Sequence, residues 1–130
     1  MATRKKYNLE YRIIAALRRV ARFHPMLTQI KRLSALAPSV YLCNGCEYPI
    51  ATKEDVTHVP QDKMFFEKVH VDHVEPVVPV EGRTTWDEYI RRLFPASIKD
   101  YQILCESCHY IKTQIENGER REYKKQKELL

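Results

Sequence analysis

Two Cys-x-x-Cys pairs, Cys43-Asn44-Gly45-Cys46 and Cys105-Glu106-Ser107-Cys108, constrain the fold of this chain more than any other feature. Four thiolates in two such pairs form a closed tetrahedral set for a structural zinc ion, which pins two distant stretches of chain to one point. Disulfides are the alternative use of cysteine, but they persist only in oxidising compartments. The N-terminal Met1-Ala2-Thr3-Arg4-Lys5-Lys6 lacks the apolar core and cleavage site of a secretory leader. No apolar run is long enough to span a bilayer. The expectation is an intracellular, cytoplasmic protein that holds metal through Cys43, Cys46, Cys105 and Cys108 and has no membrane partner.

Between the two pairs lies Asp72-His73, and His109 directly follows the last cysteine. Once the four thiolates are committed to one ion, this carboxylate and these two imidazoles remain for chemistry on another.

Charge is unevenly spread. Residues 1–39 hold nine of the chain's 22 basic residues and only one of its 17 acids, Glu10, so this segment carries +8 and the remainder −3 within a total of +5. A cationic segment beside a near-neutral domain suits a polyanion, because phosphate contacts release condensed counterions and need no sequence information. Nucleic acid is the natural partner, with Arg18, Arg19, Arg22, Lys31 and Arg32 as candidate phosphate contacts. The competing reading is a pair of packed helices with solvated charged faces.

Helical spacing predicts an amphipathic helix from Asn8, with Leu9, Ile13, Ala16, Leu17 and Val20 in one stripe. Pro25 interrupts it and biases His24 away from helical geometry, so a second helix is expected over Met26–Ala37, closed by Pro38. Gly45 supplies the tight turn of the first knuckle. Residues 51–63, with His58 and Pro60, read as a loop. A strand is expected over Phe65–Val74, with His70 and Asp72 on one face and Val69, Val71 and His73 on the other. Using Asp72 and His73 in one site then requires the strand to end or distort there, where Glu75-Pro76 and Pro79 follow. Thr85-Trp86-Asp87-Glu88 is a capping-box pattern that opens a short helix ending before Pro95. Tyr101–Leu104 reads as a second strand, and from Cys108 onward His109, Lys112, Thr113 and Glu116 fall at helical spacings. The chain thus divides into a basic helical arm (1–39), a zinc-stapled domain (40–118) and a charged tail (119–130), and the fold class is α+β.

These residues resemble the HNH endonuclease family, especially its small phage-encoded members. The matching segments are Val71-Asp72-His73-Val74-Glu75-Pro76 and the run from Tyr101 to Thr113 containing Cys105, Cys108, His109 and Lys112, with Cys43 and Cys46 upstream. A looser likeness extends to the basic helices and to residues 86–94. The resemblance implies a small ββα-metal (HNH, or His-Me finger) core, in which two strands and a helix cradle an ion and zinc knuckles clamp the ends. It further implies that His73 is a general base and that Asp72 and His109 hold a catalytic Mg²⁺ or Mn²⁺, while Lys112 steadies a phosphate. Each role answers a need of phosphodiester hydrolysis: an activated water, a cation against growing negative charge, and a rigid frame. Many family members carry an asparagine before the second strand that orients the base. Here the nearest position is Asp100, which when ionised accepts hydrogen bonds but cannot donate them, and Asn117 lies too far along the helix.

The leading expectation is thus a DNA endonuclease, nicking or cutting both strands, with the phage homing type as one form it could take. Its target and its oligomeric state stay open, a homodimer being one arrangement that gives paired nicks. The alternative is a non-catalytic zinc-knuckle module that binds nucleic acid. A zinc deaminase fits less well, since its His-x-Glu is matched only by His70-Val71-Asp72 and four cysteines leave no open position on the ion. His24, His58 and His70 read as surface or packing residues, although alternation with Asp72 could put His70 beside the ion. Tyr7, Tyr11, Trp86 and Tyr89 read as packing aromatics.

Overall fold

In the computed structural model, which describes residues 6–53 and 65–129, Asn8 starts the first helix by accepting a hydrogen bond from the Tyr11 amide. Helix α1 (Leu9–Ala21) stops short of His24, whose Nδ1 accepts from the Met26 amide at 3.1 Å while Pro25 takes the first helical position. That is where proline's missing donor costs nothing. Helix α2 (Pro25–Ser34) is shorter than its sequence suggests. Residues Ala35–Ala37, expected to be helical, instead form strand β1, which pairs antiparallel with β2 (Val40–Leu42). The cause lies in the turn between them: Pro38 sets the bend and Ser39 takes a positive φ of 62°, so the chain reverses into a hairpin.

Strand β3 (Pro49–Ala51) pairs with β2 and, in parallel, with β4 (Phe65–Phe66), giving a sheet ordered β1-β2-β3-β4. Ala51 therefore belongs to a strand, while His58 and Pro60 lie outside the described residues. The single strand expected over Phe65–Val74 is two: β4, then β5 (Val69–His73). Strand β5 pairs antiparallel with β6 (Tyr101–Cys105) in a separate ribbon. Thr85 caps helix α3 (Trp86–Leu93), accepting from the Glu88 amide at 3.2 Å as its sequence pattern predicts. The Glu88 carboxylate turns outward to Arg91 and Arg92 rather than back to the cap. Helix α4 (Glu106–Leu129) runs on through the charged tail as continuous helix.

The protein is thus α+β, with four helices and small sheets among the described residues. Its core is split into three clusters. Val40 and Ala51 form one, and Cys43, Ile50, Leu104 and Cys105 a second that joins the two knuckles. Ile14, Tyr89 and Leu93 form the third, with Leu17 and Ala21 against it. The inward face of α1 is therefore Ile14-Leu17-Ala21, because α3 lands there. Leu9 and Val20, expected in the buried stripe, are 59% and 61% exposed. Among the described residues no helix is long and apolar enough to cross a membrane.

Candidate functional site

The β2–β3 hairpin carries Cys43 and Cys46, while the junction of β6 and α4 carries Cys105 and Cys108. Their four sulfur atoms all lie within 4.8 Å of one another. Asn44 stitches the knuckles together: its amide donates to the Ile103 carbonyl and its Oδ1 accepts from the Ile103 amide, both at 2.8 Å. Gly45 lies against the second pair, where a Cβ would come within 3.0 Å of both Cβ and Sγ of Cys108. Close approach, then, is what requires glycine. The left-handed residue of this turn is Glu47, at φ 63°.

Burial alone would raise the Cys43 thiol, but hydrogen bonds from the amides of Cys105, Cys46 and Gly45 outweigh it and bring the pKa down to about 7. Burial pushes the thiols of Cys105 and Cys108 up. The Cys43 thiolate forms readily while Cys105 and Cys108 resist joining it, which is the behaviour of a donor set that a divalent cation would complete. At the start of α4 the Glu67 carboxylate accepts from the Ser107 hydroxyl at 2.5 Å and from the Ser107 amide at 3.2 Å. The Ser107 hydroxyl bond holds the Glu67 carboxyl below its usual range. Neither Asn44 nor Glu67 was singled out from sequence. Asn44 sits inside a knuckle and gave a local clue, but nothing links Glu67 to a partner 40 residues away.

A second cluster lies between β5 and α4. The β5–β6 register is unbroken from Val69↔Cys105 to His73↔Tyr101, so alternate side chains fall on opposite faces. On the α4 face, Asp72 Oδ1 is 3.7 Å from His109 Nε2 and Asp72 Oδ2 is 2.7 Å from Lys112 Nζ. Gln102 Nε2 donates to Asp72 Oδ2 at 3.3 Å, and the His70 and His109 rings stack with centroids 4.6 Å apart. Lys112 Nζ also reaches Glu116 Oε1 at 2.6 Å and the His73 carbonyl at 3.0 Å. Burial would lower the Lys112 pKa, but the bonds to Asp72 and Glu116 more than offset it, so the pKa is raised. Glu116, which shares Lys112, had a legible signal in its i,i+4 spacing.

The His73 ring lies on the opposite face, packed on Tyr101 at 4.9 Å between centroids, with Nε2 3.0 Å from the Leu93 carbonyl. A carbonyl only accepts, so this bond requires the proton on Nε2 and leaves the Nδ1 lone pair available. The ring borders a cleft of about 260 Å³ shared with Glu75, Arg91, Arg92 and Asp100. A neighbouring cleft of about 340 Å³ adds Arg18 and Arg22. The structure therefore brings together Asp72, His109 and Lys112, with His70 beside them, and sets the His73 imidazole apart from them across the strand.

Of the basic residues, Arg18 donates to the Tyr89 hydroxyl at 3.4 Å and, with Arg22, lines the His73 cleft. Arg19 is exposed. Lys31 and Arg32 line a separate cleft near Tyr41. His24 serves as the cap of α2, its ring near Phe94 and Tyr101. Trp86 packs edge-on to buried Tyr89, whereas Tyr7 and Tyr11 are exposed. A cleft of about 590 Å³ between α1 and the start of α3 holds none of the metal-ligating candidates. No family model matches the chain, and comparison with curated proteins and with solved structures yields no match either.

Proposed function

We propose that this protein is a metal-dependent endonuclease of the HNH type that hydrolyses DNA phosphodiester bonds, with the four cysteines holding a structural zinc. The observation that carries this reading is the meeting of Asp72 on β5 with His109 in the first turn of α4, immediately beside the four-cysteine cluster. One carboxylate and one imidazole would hold Mg²⁺ or Mn²⁺ and leave most of its coordination to water and phosphate oxygens. Such an ion supplies charge neutralisation at the phosphate and the leaving oxygen.

The remaining work falls to the chain's own groups. The Leu93 carbonyl fixes the His73 tautomer, so that Nδ1 is the nitrogen left to accept a proton from water. This backbone carbonyl takes over the orienting task that an asparagine performs in the family. A phosphodiester lying across the end of β5 would meet the ion on one side and His73 on the other, with Arg18, Arg22, Arg91 and Arg92 around the His73 clefts to receive flanking phosphates. Nicking and double-strand cleavage share this chemistry.

One observation favours a second reading, a non-catalytic zinc-knuckle module that binds nucleic acid: Lys112 and Glu116 form an ion-pair network with Asp72 of a kind that also serves structure alone. Incubation of supercoiled plasmid with zinc-loaded protein separates the two. The nuclease requires relaxation or linearisation in Mg²⁺ or Mn²⁺ that EDTA stops and that a folded His73→Ala variant lacks. The module requires salt-sensitive DNA binding with the plasmid left intact.

A further inference from the structure

Lys112 holds one oxygen of Asp72, the carboxylate that would ligate a divalent ion together with His109. Its ammonium lies 2.7 Å from Asp72 Oδ2, while Oδ1 of the same carboxylate is 3.7 Å from His109 Nε2, and the ammonium is simultaneously held by Glu116 Oε1 at 2.6 Å and the His73 carbonyl at 3.0 Å. The side chains of Lys112, Asp72 and Glu116 are about a quarter exposed or less, so water screens these contacts only partly. A divalent cation and an ammonium on the two oxygens of one carboxylate repel each other, and each weakens the hold of the carboxylate on the other. We propose that Lys112 is a resident cation that competes with the divalent ion for Asp72, and that Glu116 is the partner that retains Lys112 when the ion displaces it. This rests on Asp72 being an ion ligand, as in the function proposed above.

The spacing makes the exchange local. Lys112 and Glu116 are one turn apart on α4, so a change of rotamer moves the ammonium off Asp72 and leaves its bond to Glu116 in place. The same movement frees the His73 carbonyl. Lys112 thereby sets the affinity of the site for the ion, and Glu116 acts only through Lys112.

Mn²⁺ binding to the zinc-loaded full chain, read by electron paramagnetic resonance or calorimetry, tests this without any assay of cleavage. Lys112→Met is expected to bind Mn²⁺ about ten- to a hundred-fold more tightly than wild type, the equivalent of the charge-assisted hydrogen bond that wild type must break. Glu116→Gln should weaken binding in the wild-type background and do nothing in the Lys112→Met background. Asp72→Asn should abolish binding in both. A cooperative thermal melt checks each variant, and Lys112→Gln serves in place of Lys112→Met if the latter does not fold. If Mn²⁺ binding depends on Asp72 but Lys112→Met leaves the affinity unchanged or lower, the competition is refuted while the ion site stands. An effect of Glu116→Gln that persists without Lys112 refutes the role given to Glu116. If neither wild type nor Lys112→Met binds Mn²⁺, the ion assignment falls and the competition with it.

Discussion

Removing the metal proposed for the four cysteines should strongly destabilise this protein. Three small clusters, with Tyr101 and Ile103 besides, supply the buried core among the described residues, and the cluster that joins the hairpin to the β5–β6 ribbon includes Cys43 and Cys105. Without an ion, three pressures act there at once: packed sulfurs, buried thiols pushed upward, and a Cys43 thiolate with no cation opposite it. An ion present at about 1,000 times its dissociation constant adds roughly 4 kcal/mol to stability. Domains of this kind are stable by only about 5–15 kcal/mol. Unfolding entropy of about 2.1 cal/mol/K per residue, taken over 130 residues, gives a shift of about 4 °C per kcal/mol, so Tm should fall by about 15 °C. Calorimetric melts of zinc-loaded protein, of protein stripped by a strong chelator and of Cys105→Ser provide the assay, with metal content verified by elemental analysis. Stripped protein that melts cooperatively at the temperature of the loaded form would refute the reasoning and leave the four cysteines as a packing cluster.

Ile14→Ala should destabilise the whole protein by about 2–4 kcal/mol, since the side chain is 6% exposed and removing three buried carbons at about 0.8 kcal/mol each leaves a cavity besides. Denaturant unfolding checks this, and an unchanged midpoint would mean that α1 is not part of the cooperative unit. Glu88 is held down from 4.5 to about 2 by its hydrogen bonds to Arg91 and Arg92. A depressed folded-state pKa stabilises above the unfolded value, so the Tm advantage of wild type over Glu88→Gln should be present above pH 4.5 and shrink as pH falls toward 2. A difference that does not vary with pH would show that this pair does not contribute to folding.

Local chemistry made much of this molecule legible in its sequence. The Thr85 cap, the break at Pro25 and the convergence of the four cysteines each depend on a few neighbouring residues or on a ligand requirement, and each is present in the structure. What escaped depended on tertiary placement. Residues 35–37 suit a helix as well as a strand, and only the Pro38-Ser39 reversal and pairing with β2 decide between them. The apolar face of α1 was misplaced because Leu9, Ile13, Ile14 and Leu17 leave two adjacent stripes of similar quality, and the position of α3 selects one. Alternation along β5 correctly separated Asp72 from His73, and the ribbon stays regular to His73 rather than distorting. Glu67 and Asn44 act on Ser107 and Ile103 across long separations in the chain, so their roles emerge only once β6 and α4 are in place.

The most direct test of the proposed active site is the single-turnover rate of supercoiled-plasmid cleavage by zinc-loaded wild type and Asp72→Asn at saturating Mn²⁺. Loss of an ion whose electrostatic contribution is several kcal/mol predicts a fall of about a thousand-fold or more in the variant, with a cooperative melt retained and zinc content unchanged. Equal rates in the two proteins, or no cleavage by wild type under any divalent ion, would contradict the assignment of Asp72 and His109 as the metal-binding heart of a nuclease.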